Sequence, residues 1–456
     1  MLKKKYVYCS LLVGSILLAA CGSDNDTETG DQGTSDSGKT EIEIAWRGTG
    51  EGDNVRRYLE KFQEEFEAEN DDIDIVLAPV TASEGDYFSR MALTMQSSET
   101  APDIVSEDTF MLSSDANAGY LKNLDDHVAE WEEWDNFIEN IKEGTTGEDG
   151  STYGIPTTTD SRGIWYSKEV FEEAGLPEDW QPTSWDDIYD AAEQIADSGS
   201  EAIPFSMNVA KVNGEATSMQ TFEMLLYGTG ETLYDSETQV WNVNGQGLVD
   251  SLTFIDEIMN QRNLGPSLSI ALNSNYGSTL MQDLLPNAGV GMVLDGSWNI
   301  GNYLEGGVAE LDDPESVLGF ALFPGNGASD DEFITMAGGW SWAIPENSQN
   351  HEESWRVIQA MSTMESQARR AVLEGTLTVR NDSAEDEAYL ERPMIETATE
   401  ALEYSHFRPK SDLYPNISIA IQDAVESVAT GSATPEEAAE NYRNAVISNV
   451  GEENTN

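Results

Sequence analysis

The stretch from Glu41 to Ala78 constrains the fold more than any other part of the chain. "EIEIAW" (Glu41–Trp46) alternates apolar and polar residues with the period of two expected of a strand. "DNVRRYLEKFQEEFEAE" follows, with Val55, Tyr58, Leu59, Phe62 and Phe66 on one helical face and Asp53 or Asn54 as the N-cap. "IDIVLA" (Ile73–Ala78) is a second strand. Strand, helix and strand in under forty residues leave room for a βαβ unit, which requires a parallel sheet and a right-handed crossover. The theme recurs in "APDIVSED", a short strand from Asp103 followed by a helix toward Tyr120. Further helices are expected from Thr183 or Ser184, with Ile188, Ala191, Ala192 and Ile195 on the buried face, and at about 248–260, 352–373, 389–404, 415–430 and 435–449. The last opens with Thr434-Pro435-Glu436-Glu437, an N-cap followed by a proline at the first helical position and dipole-matching acids. The expected class is α/β, with ligands bound at the carboxyl ends of the strands.

The first forty residues read as an address rather than a fold. Lys3, Lys4 and Lys5 precede an apolar run, Val7–Ala20, that is too short for a spanning helix and fits an export signal. Leu18-Ala19-Ala20-Cys21 resembles the lipobox of bacterial lipoproteins, which implies cleavage before Cys21 and acylation of its thiol. Residues 1–20 are thus expected to be a lipoprotein signal peptide, and 21–40 a lipidated cysteine with a flexible acidic linker. Cys9 leaves with the signal, so Cys21 alone remains and no internal disulfide can form. Gly22–Thr40 is built of residues that cannot bury enough surface to order themselves, and such a leash reaches roughly 25 Å.

Charge narrows the partners. The chain carries 23 Lys and Arg against 85 Asp and Glu, and losing the three signal lysines takes the formal charge from −62 to −65. Such a field repels nucleic acid and other polyanions. It fits an exterior that is salty, alkaline or both, because at about 1 M salt the Debye length falls to ~3 Å and self-repulsion is screened. Melting temperature is therefore expected to rise with NaCl from dilute buffer to about 1 M. A flat or falling melting curve would remove the halophilic reading.

Four pieces in order carry a family resemblance. They are "RGIWYSKEVFEEAGLPEDWQPTSWDDIYDAAEQI" (162–195), "MVLDGSW" (Met292–Trp298), "GGWSWAIPENS" (Gly338–Ser348) and "ATGSATPEEAAENYRNAV" (Ala429–Val446). From about Glu41 to its end the chain resembles the family 1 extracellular solute-binding proteins, the sugar receptors of ABC importers. The resemblance implies a two-lobed, periplasmic-binding-protein-like fold whose discontinuous lobes are joined by a three-segment hinge and close on solute. Residues 41–156 and 337–382 are expected in the N-terminal lobe, and 157–336 and 383–456 in the C-terminal lobe. The crossings are expected near Ile155–Thr159, Phe333–Gly338 and Arg380–Ala384. A lipid-anchored monomer on the extracellular face of the cell membrane, delivering sugar to permease subunits, follows from the same resemblance.

A sugar offers apolar C–H faces and hydroxyl edges, so its site needs flat aromatic surfaces beside carboxylates, amides or arginines. Trp355 and Trp185 lie on apolar helix faces and belong to the core, while Trp131 and Trp134 sit among acids, as surface residues would. Trp46 ends the first strand, and Trp298 and Trp340 follow glycines at strand ends, where the family stacks aromatics on sugar. Glu107 and Asp108 end the "DIV" strand, as ligand contacts or as a capping pair for the next helix. Asp160 lies at the first crossing, and Arg47, Glu51, Asn208, Asp295 and Arg380 complete the expected ligand set. Arg162 is read as neutralising local acid. No cofactor, metal or catalytic residue is expected. His127, His351 and His406 are scattered, and there is no G-x-S-x-G, H-E-x-x-H or P-loop motif. A receptor for a non-sugar solute such as a polyamine, or a cell-surface carbohydrate-active enzyme, is the alternative.

Overall fold

The computed structural model describes residues 38–456 apart from 51–52, 237 and 330, and Thr40–Asn456 forms one compact unit. Cys21, the signal and most of the leash lie outside the described residues, as does Glu51. Among the described residues no helix is long and apolar enough to cross a membrane.

Two sheets organise two lobes. The first has five strands in the order Ile73–Thr81, Thr40–Gly48, Ile104–Asp108, Trp340–Ala343 and Gly154–Pro156. The 40–48 strand is parallel to both 73–81 and 104–108, as a βαβ origin demands, whereas 340–343 enters antiparallel. The second sheet orders Leu318–Ala321, Arg162–Ser167, Val290–Gly296 and Ile203–Ser206. A small third sheet joins Phe323–Pro324, Phe333–Met336 and Ser405–His406.

Local chemistry sets the helix boundaries. Asp53 caps Asn54–Glu69 by accepting the Arg56 amide, and Ser184 caps Trp185–Ser198 by accepting the Asp187 amide. Thr434 and Glu437 form a complete capping box at Pro435–Val450. Ile188, Ala191, Ala192 and Ile195 are all buried, and so are Trp185 and Trp355. Two long helices expected from periodicity are broken. Thr363 caps a new helix, so 352–373 divides into His351–Met361 and Met364–Glu374. The 389–404 stretch splits at Pro393, followed by Met394 in the left-handed region (φ 62°), before Ile395–Glu400. Trp131 and Trp134 are not loose surface residues. They stack on each other at 6.2 Å, and Trp131 meets Trp355 edge-on at 5.4 Å, which extends the first lobe's core.

The chain changes sheet between Pro156 and Arg162 and again between Met336 and Trp340. These segments are laced to each other and to a third. Thr157 Oγ1 donates to the Trp340 carbonyl (2.8 Å), Thr159 Oγ1 donates to the Gly338 carbonyl (3.0 Å), and Thr159 exchanges both backbone bonds with Leu377 (3.0 and 2.8 Å). Gly339 has φ +145°, and a Cβ there would lie 2.0 Å from the Thr158 carbonyl oxygen, so only glycine lets these crossings touch. Gly339, just before Trp340, thus serves close backbone packing.

Candidate functional site

One edge of the site is the end of the first sheet. In register, Trp340 faces Asp108, so the indole and the carboxylate share one corner. The Trp340 ring stacks on Phe88 (6.0 Å, 20°) and meets Tyr87 edge-on, which fixes it while leaving it partly exposed. Asp108 caps Thr109–Asn117 by accepting the Phe110 amide, so the capping reading holds for it. It also receives the Arg408 guanidinium at 2.6 Å. Arg47 pairs with Glu84 at 3.2 Å. Burial pushes the Glu84 carboxyl up to about 7 against the pull of Arg47.

The second lobe supplies the opposite edge. Asp160 pairs closely with Arg162 and accepts the Gly338 amide at 3.0 Å, while Arg162 donates to the Met336 carbonyl at 2.9 Å. Arg162 does more than neutralise an acid, because its guanidinium lies 4.9 Å over the Trp298 ring. The ring itself folds back over Gly296, where any Cβ would stand 1.8 Å from it. Asp295 accepts the Gly296 amide at 2.7 Å. Burial raises its carboxyl to about 6, against bonds from Gly296, Asn299 and Asn208 and the charge of Arg162. Asn208 also accepts from Asn213 at 3.1 Å.

A polar group absent from the sequence reading joins the two edges. Arg408 reaches Asp108 with one arm and Glu215, at 3.3 Å, with the other. Glu215 is held by Tyr414 (3.1 Å) and Ser418, and Tyr414 donates a 2.5 Å bond to Glu223. Burial, then Glu215, raises Glu223 to about 8. A Cβ on Gly338 would lie 3.2 Å from an Arg408 nitrogen and 3.6 Å from an Asp160 oxygen, so the arginine clamp adjoins the hinge carboxylate.

The structure thus gathers Arg47, Asp108, Asp160, Asn208, Asp295, Trp298 and Trp340 along the inter-lobe region. It withdraws three others. Trp46 is 1 % exposed among Ile42, Ile44 and Tyr58, and its indole N–H donates to Asp53 at 3.1 Å, so it anchors a helix cap in the core. Glu107 is 1 % exposed, with neither carboxyl oxygen hydrogen-bonded. Burial, then Asp115 and Asp108, push its carboxyl well above the usual carboxylate range, and it has no face toward solute. Arg380 is fully buried over the Phe137 ring and bound to Glu133 and Asp382 (2.6 Å each) and to the Ser362 carbonyl, which makes it a structural tie.

The likenesses agree with this architecture. A solute-binding protein of an ABC transporter from Thermotoga lettingae, solved with α-D-tagatose, superimposes with a TM-score of 0.76 at 22% identity, covering 90% of this chain and 100% of the other. The GacH receptor of Streptomyces glaucescens, solved unliganded and with acarbose, gives 0.76 at 20% identity, with 91% and 99% covered. In sequence, a binding protein of Brucella abortus is 24% identical over 381 residues, 83% of this chain and 86% of the relative. The galactooligosaccharide-binding protein of Bacillus subtilis is 20% identical over 444 residues, 96% and 95% of the two chains. The family model for the bacterial extracellular solute-binding protein matches residues 52–368, and with two lobes, laced crossings and a recessed polar region between them, the chain belongs to that family.

Proposed function

We propose that this protein is the extracellular solute receptor of an ABC importer, that it holds a neutral sugar or oligosaccharide between its lobes, and that it performs no chemistry on it. The observation that carries the reading is the pair Trp298 and Trp340. They are partly exposed indoles on different lobes, each braced from behind and each beside recessed carboxylates and arginine that can satisfy hydroxyls in pairs. The sugars bound by the solved relatives, tagatose and acarbose, and the galactooligosaccharide-binding protein among the sequence relatives support it. A strongly negative chain with few basic residues disfavours anionic solutes. Acylated Cys21 would tether the receptor, as a monomer, beside its permease at the outer face of the membrane.

Calorimetric titration against a panel of neutral mono- and oligosaccharides tests the assignment, with scattering to follow the hinge. Binding of at least one sugar with compaction of the particle is expected. A polyamine or peptide that binds while every sugar fails would replace the reading, and a bound sugar without compaction would remove the hinge from it.

A further inference from the structure

We infer that the segment Phe407–Asp412 is a strap laid by the second lobe across the first, and that Arg408 is the positioning residue through which it sets the balance between open and closed lobes. The inference rests on the reading of the inter-lobe region as the solute site.

The segment begins and ends in the second lobe. Ser405–His406 pairs with Phe333–Met336, and Tyr414–Ala429 packs in that lobe's core. Between them, Arg408, Lys410 and Asp412 each reach the first lobe, the last two around a tight turn in which the Ser411 amide donates to the Pro409 carbonyl at 3.0 Å. Arg408 donates to Asp108 (2.6 Å) and to Thr109 Oγ1 (3.0 Å). Lys410 donates to Thr146 Oγ1 at 2.7 Å. The Asp412 amide donates to Glu148 at 2.9 Å, and its carboxylate accepts from Asn117 at 2.7 Å. Phe110, beneath Arg408 at 4.8 Å, packs against core clusters of both lobes, so an apolar contact closes with the polar one.

The contact is suited to being made and broken. If the lobes part, Arg408 keeps Glu215, which Tyr414 and Ser418 hold inside the second lobe. Asp108 keeps the Phe110 amide as a helix cap and gains water. Neither charge is stranded in either arrangement, so the pair biases the hinge without locking it. Ligand contacts to both lobes then add to a bias already present.

The test uses scattering by the mature chain with no sugar added, on Asp108→Asn and Arg408→Gln. Each variant is expected to shift the open-to-closed ratio about tenfold toward open, read as a larger radius of gyration. The double variant is expected to shift it no further than either single change, because both break one contact. Arg408→Gln could unfold by stranding Glu215; Asp108→Asn, which retains that pair, keeps the test decisive. A folded Asp108→Asn protein with the wild-type radius of gyration, or fully additive effects in the double variant, overturns the inference. Because no sugar enters the measurement, a strap that opens in a protein that binds no sugar would support the strap while removing the sugar reading. Unchanged scattering in a protein that binds sugar would do the reverse.

Discussion

Trp340→Ala is expected to weaken sugar binding by about ten- to hundredfold, the loss of one stacking face worth roughly 1–3 kcal/mol. The fold should survive, because the ring is partly exposed and its neighbours Phe88 and Tyr87 remain packed on each other at 5.5 Å. Trp298→Ala is expected to lose a similar amount by a different route. Its ring covers Gly296 and carries the Arg162 guanidinium, so removal also frees the arginine that pairs with Asp160. Trp298→Phe, which retains a flat face, should recover part of the affinity, and Trp340→Phe likewise. Calorimetry on the best sugar of the panel, with a melting curve for each variant, separates the cases. If both alanine variants unfold, the indoles belong to the core and the site must be sought elsewhere; if both fold and bind as before, stacking is not what holds the ligand.

Much of this arrangement was legible because it depends on local periodicity. The opening βαβ unit, the caps at Asp53, Ser184 and Thr434, and the burial of Trp185 and Trp355 each follow from spacing within a few residues. Trp46 obeys the same local rule. Ile42, Ile44 and Trp46 have the same parity on one strand, so all three face the same core, and the strand's own alternation already argued against the cleft. Glu107 shares parity with Val105 in the same way. Arg408 was illegible for a different reason. Its segment is neither helix nor strand, and its partners Asp108 and Glu215 lie 300 and 193 residues away, so no window of sequence contains the contact. Arg380 looked like a ligand-binding arginine at a crossing, but Glu133, 247 residues distant, takes it into the structure.

The second large effect concerns pH. Seven carboxyls among the described residues are held above their ordinary range chiefly by burial: Glu223 at about 8, Glu84 and Asp115 at about 7, Asp295 at about 6, Glu107 well above it, and Glu43 and Glu374 raised in the same direction. A raised acid binds its proton more tightly folded than unfolded. Its contribution is complete below the unfolded value near 4 and is lost as pH climbs through the folded value. Other acids set the opposite limit. Asp382 is lowered by the Arg380 hydrogen bond and Asp187 by bonds from Thr183, so their support fades as pH falls below about 4. Stability should therefore peak near about pH 4 and decline by several kcal/mol toward about pH 9, since a tenfold difference in proton affinity between folded and unfolded chain is worth about 1.4 kcal/mol. For lobes of this size that corresponds to a fall in melting temperature on the order of 10 °C. The decline should persist in about 1 M NaCl, because salt screens repulsion between surface acids but does not restore solvent to buried ones. Glu223→Gln should make the decline shallower across the whole span from about pH 4 to 8, as an amide can still accept the Tyr414 hydroxyl but cannot ionise. Melting curves from about pH 5 to 9 at high salt decide the matter. A flat or rising profile would mean that these carboxyls are ionised in the fold, whereas the expected decline means that an alkaline habitat would work against this core even where a saline one favours its surface.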